Sequence, residues 1–154
     1  MTKKLNIASL LLFTIALLPI MSAFLMLFSG SSEFTYEELM GMSASDIYDF
    51  NPKLMKAIEL VVQIRGLYLL VFALFWAVIS LIPYRKGEKW AWFALLIIGI
   101  IWLSGYLIFV NIGVTQGIYL SSWITPATVW LILWIVGLAL PFKEFFKNNC
   151  IINF

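Results

Sequence analysis

Six polar side chains set in or beside long apolar stretches are the residues of this chain best suited to chemistry: Glu59, Gln63, Arg65, Tyr106, Asn111 and Thr125. A guanidinium is a fixed positive charge with a planar fork of donors, so Arg65 favours phosphate or carboxylate. Glu59 and Tyr106 are groups able to carry a proton, and Gln63, Asn111 and Thr125 add neutral donors and acceptors. If each apolar stretch is a helix crossing a bilayer, a rise of ~1.5 Å per residue puts Arg65, Gln63, Tyr106, Asn111 and Thr125 at similar depth near the outer interface, with Glu59 above them, on three different helices. Polar groups at membrane depth face a bundle interior or a water-filled cavity. The six are therefore expected to line an outward-facing cleft for an amphiphile, with its polar or anionic head on Arg65 and its tail against aromatic faces. A competing reading sends Arg65 to lipid phosphate by snorkelling and leaves Glu59 in water. Glu59 and Arg65 are six apart on one helix and do not face each other directly.

Other chemistries lack their residues. There is no His, and the one Cys is Cys150. His-held haem, iron–sulfur clusters and the common zinc sites therefore have no ligand set. A Ser-His-Asp triad and a Cys-x-x-Cys redox pair are excluded on the same ground. The acidic run of Glu33, Glu37, Glu38, Asp46 and Asp49 has no Asp-x-Asp-x-Asp-Gly spacing and reads as a solvated surface. No cofactor and no metal are expected. A net charge of +2 gives no argument for nucleic acid.

The elements that must position these residues are four apolar stretches, at 5–28, 57–83, 90–110 and 123–140. A bilayer core ~30 Å thick is crossed by ~20 helical residues, and each stretch is near or above that length. The composition agrees: 63% of residues are hydrophobic and 12% charged, where soluble domains carry about 25% charge. The first stretch also exceeds the ~7–15 residues of a signal-peptide core. The chain reads as a single all-α domain over 1–154, an integral membrane four-helix bundle with a short amphipathic helical outer loop at 29–56.

Local signals refine this outline. Thr35 with Glu38 has the form of a capping box, and Ser43 offers a second cap before 47–50. Pro52 after Asn51 can open the second long helix. Ser9, Ala16 and Ala23 repeat every seven residues in the first helix. In the second, Gly66, Ala73, Ala77 and Ser80 share a face with Glu59 and Gln63, and Gly66, Ala73 and Ala77 are expected at helix–helix contacts. Gly99, Trp102, Tyr106 and Phe109 share a face of the third helix, as do Trp123, Trp130, Trp134 and Gly137 in the fourth. Small faces on two helices and aromatic faces on two point to complementary packing. Pro19 is expected to kink the first helix. Trp90, Trp92 and Trp123 lie near helix ends, where indoles anchor at headgroup level.

Charge orients the bundle. Lys3, Lys4, Arg85, Lys86, Lys89, Lys143 and Lys147 occupy breaks that share one side if all four helices cross. Lys and Arg near helix ends are retained in the cytoplasm. Both termini and the 84–89 turn are therefore expected there, in a multi-pass protein of the cell membrane.

Three segments carry a resemblance: Phe50-Asn51-Pro52-x-Leu54, Arg65-Gly66-Leu67-Tyr68, and the run from Tyr84-Arg85-Lys86-Gly87 through Glu88-Lys89-Trp90-Ala91-Trp92. Over roughly 50–146 the chain resembles a set of small, uncharacterised four-helix prokaryotic integral membrane proteins, similar to the DoxX-like group in size and topology. DoxX-like membership would imply a link to quinone or sulfur redox chemistry, with no functional residue to assign to it here. The residues themselves favour a non-enzymatic bundle that interacts with lipids or serves as an accessory subunit of a membrane assembly. The alternatives are a carrier or sensor of a quinone, isoprenoid or lipid, and a membrane enzyme using Glu59, Arg65 and Tyr106. Expected partners are membrane lipids and a homo-oligomer or larger membrane complex.

Overall fold

The computed structural model describes residues 2–29, 41–115 and 121–146, with side chains described throughout except at 29 and 121–126. The Thr35–Glu38 cap, the ring of Trp123, the side chain of Thr125, Lys147 and Cys150 lie outside the described residues. Helix α1 spans Lys3–Ser29 and continues through Pro19 without a break in the helix. Helix α2, Ala44–Phe50, starts on Ser43. The Ser43 hydroxyl accepts from the Asp46 N–H at 3.1 Å, and the Asp46 carboxylate accepts from the Ser43 N–H at 3.1 Å. Hydrogen bonds from the Ser43 side chain, then from its backbone, hold the Asp46 carboxyl below its usual range.

Asn51 closes α2 and opens α3, Pro52–Ile79. Its Oδ1 accepts from the N–H groups of Lys53 at 3.0 Å and Leu54 at 3.3 Å, and Pro52 takes the first-turn position where its missing N–H matters least. The second span thus begins before the apolar run at 57, because a good cap makes a polar first turn helical. The helix then widens into a π turn, Ser80–Tyr84, around Pro83. A turn at 85–88 reverses the chain, with Gly87 at φ 81, a left-handed value suited to glycine. Helix α4 spans Lys89–Thr115, and α5 spans Ser121–Ala139. Pro141 separates α5 from the short α6, Phe142–Phe146. Among the described residues four helices are long and apolar enough to cross a membrane and no strand is present, the architecture of an all-α, multi-pass membrane protein.

Lipid tails are as apolar as leucine, so helices in a bilayer associate through close contact and hydrogen bonds rather than hydrophobic gain. The faces are built accordingly. Ser9, Ala16 and Ala23 of α1 are buried, as are Gly66, Ala73 and Ala77 of α3, and α1 packs along α3 and against α5. A Cβ on Gly66 would sit 2.9 Å from Met26 Cβ, and one on Gly137 would sit 2.7 Å from Leu12 Cγ. Gly99 lies directly under the indole of Trp134. Helix α4 is the least buried span. Exposed hydroxyls turn back on their own helix: Thr14 donates to the Leu10 carbonyl at 2.8 Å and Ser104 to that of Ile100 at 2.8 Å.

Three chain segments meet at one end. Arg85 Nε donates to Asn6 Oδ1 at 3.0 Å, and the Thr2 hydroxyl donates to the Glu144 carboxylate. Lys3, Lys4, Arg85, Lys86, Lys89 and Lys143 therefore gather at this basic end. At the opposite end Ile47 of α2 is buried with Met55, leaving Tyr48 and Phe50 exposed.

Gly99→Ala places a Cβ 2.2 Å from the Trp134 ring. It is expected to destabilise the bundle by about 1–3 kcal/mol through overpacking, read as a lower thermal midpoint in detergent. Gly105→Ala on the same helix meets nothing within 4 Å and should leave the midpoint unchanged or raised.

Candidate functional site

The polar residues expected to share a cleft at the end opposite the basic one are placed as follows. Glu59 is half-buried, while Gln63, Arg65 and Asn111 are exposed. Tyr106 is half-buried, its ring stacked on Trp102 at 5.5 Å and 6°. Trp102 in turn stacks on Trp130 at 4.0 Å, and Trp130 lies 5.4 Å from Trp76, so one aromatic column joins α3, α4 and α5.

The basic half of the bundle is organised by main-chain carbonyls. In an α-helix the Gly137 C=O would take its bond from the N–H of residue 141. That residue is Pro141, which has none. The Tyr84 hydroxyl supplies the bond instead, at 2.6 Å, from a side chain with no exposed surface. The next carbonyl, Leu138, accepts from Trp92 Nε1 at 3.0 Å. Two aromatic donors, one from the π turn after α3 and one from α4, thus cap the end of α5, where helix carbonyls lack internal partners. Trp134 Nε1 donates back to the Leu95 carbonyl at 3.1 Å, and Gly99 lets the indole lie flat against α4. Between α1 and α3, Trp76 Nε1 donates to Leu12 O at 2.9 Å and the Ser9 hydroxyl to Ser80 O at 2.6 Å. The Ser80 hydroxyl donates to Trp76 O at 2.7 Å.

This arrangement leaves a groove of about 440 Å³ between α4 and the α5–α6 corner. Its lining is Trp92, Leu96, Trp134, Ile135, Leu138, Ala139 and Phe142. The groove is open along its length, because the α4 side is only lightly covered. Its walls are set by the indole bonds of Trp92 and Trp134, and Trp92 is further braced by Phe142 and Phe146 at 5.6 and 5.5 Å. No lining residue is titratable, so the groove can hold hydrocarbon but cannot move a proton. Among the described residues, no three His, Cys, Asp or Glu side chains come together to hold a metal ion.

Trp92 is therefore not a plain headgroup anchor. Its ring is half-buried and its N–H is committed to a neighbouring helix, while Trp90 stays exposed and donates to Glu88 at 2.6 Å. Tyr84 and Trp76 escape a reading by composition because aromatic residues are common throughout the chain. The signal for Tyr84 was Pro141, which strips a donor from Gly137. Comparison of the chain with protein-family models, with curated proteins and with solved structures gives no significant match in any of the three.

Tyr84→Phe removes the hydroxyl that serves the Gly137 carbonyl in place of a helical N–H, and should lower stability in detergent by about 1 kcal/mol. Pro141→Ala restores an N–H at the position the helix requires. In that background the Tyr84→Phe loss should shrink markedly, as a double-mutant cycle will read. An equal loss in both backgrounds would show that proline does not create the need for Tyr84.

Proposed function

We propose that this protein is a non-enzymatic membrane module that binds lipid, holding one acyl chain in the groove between α4 and α5. The observation that carries the reading is the groove itself, almost entirely apolar in its lining and open on its side. Its volume falls in the range of small-molecule sites, about 300–1,000 Å³. A hydrocarbon chain gains there the dispersion contacts that a flat helix surface does not offer. The polar atoms nearest the groove, the indole N–H groups of Trp92 and Trp134, are spent on helix-to-helix bonds. Reaction chemistry needs several convergent polar groups, and this wall presents none. In the proposed orientation the basic end, with both termini, faces the cytoplasm of the cell membrane, because its Lys and Arg side chains resist translocation.

Native mass spectrometry of the full chain extracted from membranes should find a single retained phospholipid. Ala139→Trp fills the groove from an exposed position and should abolish that adduct while leaving the thermal midpoint within a few degrees. Retention of the lipid by a folded Ala139→Trp variant would overturn the proposal. Orientation is read with a membrane-impermeant maleimide on a Cys150→Ser background: Ser45→Cys should label in intact cells, and Lys86→Cys only after lysis.

A further inference from the structure

We infer that Trp134 sets the length of acyl chain that the groove can seat, by closing its inner end with the indole ring. The inference rests on the lipid-holding reading above and adds a limit on the chain. Side chains on a helix lean toward its N-terminus. Helix α5 ends at the basic side, so the Trp134 ring leans the other way, toward the middle of the bundle. A Cβ on Gly99 would lie 2.2, 2.4 and 2.5 Å from Cε2, Cζ2 and Nε1 of that ring, so the indole fills the space above Gly99. Its Nε1 donates to Leu95 O at 3.1 Å, and the ring stacks on Trp130 at 5.8 Å and 26°. Bonded to α4, stacked within α5 and almost fully buried, the ring is fixed in place.

The lining of the groove ends at this level on both walls. Trp92, Leu96 and Gly99 follow one another at helical spacing on α4. The first two line the groove, and the third lies under the ring. On the other wall the lining runs from Phe142 back through Ala139, Leu138 and Ile135 to Trp134, and no residue of the preceding turn joins it. The basic end of the seat is marked by the rings of Trp92 and Phe142, 5.6 Å apart.

The seat is short for a lipid tail. At ~1.5 Å per residue, Trp92 and Gly99 are ~10 Å apart along α4. Carbon bonds of ~1.5 Å at ~111° advance an extended chain by ~1.25 Å each, so that length seats about eight methylenes. One leaflet of a ~30 Å hydrocarbon core is ~15 Å deep. A long acyl chain therefore outruns its seat, and the carbons past the ring return to lipid through the open side. They gain nothing from the protein, because dispersion attraction needs touching atoms. The groove thus distinguishes short chains from one another and treats long ones alike.

The test uses the full chain in excess detergent with lysophosphatidylcholines from hexanoyl to stearoyl. They are compared at equal mole fraction in the micelle, with retention read by native mass spectrometry. Retention by the wild type should rise about twofold with each added pair of methylenes as far as decanoyl, the scale of a few dispersion contacts, and then level. Trp134→Leu removes the stop, so the rise should continue beyond decanoyl. Ile135→Trp adds bulk to the lining from an exposed position and should bring the levelling to a shorter chain. A wild-type series that climbs all the way to stearoyl, or does not climb at all, would overturn the limit and leave the lipid groove standing. Retention of no chain at any length would end both. Levelling at decanoyl in a folded Trp134→Leu variant would overturn the assignment to that ring. Should Trp134→Leu fail to fold, levelling that stays at decanoyl in Ile135→Trp overturns it instead.

Discussion

Pro141 has no N–H, and the Gly137 carbonyl one turn earlier is left without a helical partner in a packed interior. Hydrocarbon cannot supply the missing donor, and an unpaired carbonyl there is costly. The arrangement of the basic half follows from meeting that need. A hydroxyl must reach Gly137 from outside α5, and Tyr84 does so from the π turn that ends α3. Trp92 then serves the neighbouring Leu138 carbonyl from the first turns of α4. The second and third spans are thereby tied to the end of the fourth.

Most of these ties join an aromatic ring to a main-chain oxygen. A ring of this size fills space as well as donating, so packing and bonding reinforce each other without importing a charge. The arrangement requires small residues opposite the rings, and Gly99 beneath Trp134 meets that requirement. It also limits how tightly the third span can close. Its stacked tryptophans and the Trp134 contact hold α4 at the bundle's side, and the wedge beside the indoles of Trp92 and Trp134 becomes the groove.

The four spans were legible because length and hydropathy are properties of the chain alone. The buried faces at Ser9, Ala16 and Ala23, and at Gly66, Ala73 and Ala77, were legible because they recur with helical spacing. Tyr84 and Trp92 were harder, since an aromatic at a helix end can face headgroups or a neighbouring carbonyl, and the choice is made by a residue far along the chain. The groove was not legible, because it arises from unequal distances between helices. For the polar set at the other end, depth could be counted but direction could not. Gln63 and Arg65 are two apart, or ~200° around the axis, so both do not point into one narrow cleft from the same helix face.

The first span lies against the last: Leu12 rests on Gly137, and Thr2 reaches Glu144. Membrane helices insert before they associate, and this chain is made from one end. Helix α1 can pair with α3 as soon as both are in the bilayer, because α3 is the next span in the chain. Its contact with α5 has to wait until Ser121–Ala139 has been synthesised. During that interval the Leu12 side of α1 is solvated by lipid, and the bundle is three spans without their closing contact. Closure is thus a late event in biogenesis, and it seats Tyr84 on Gly137 as the last span arrives.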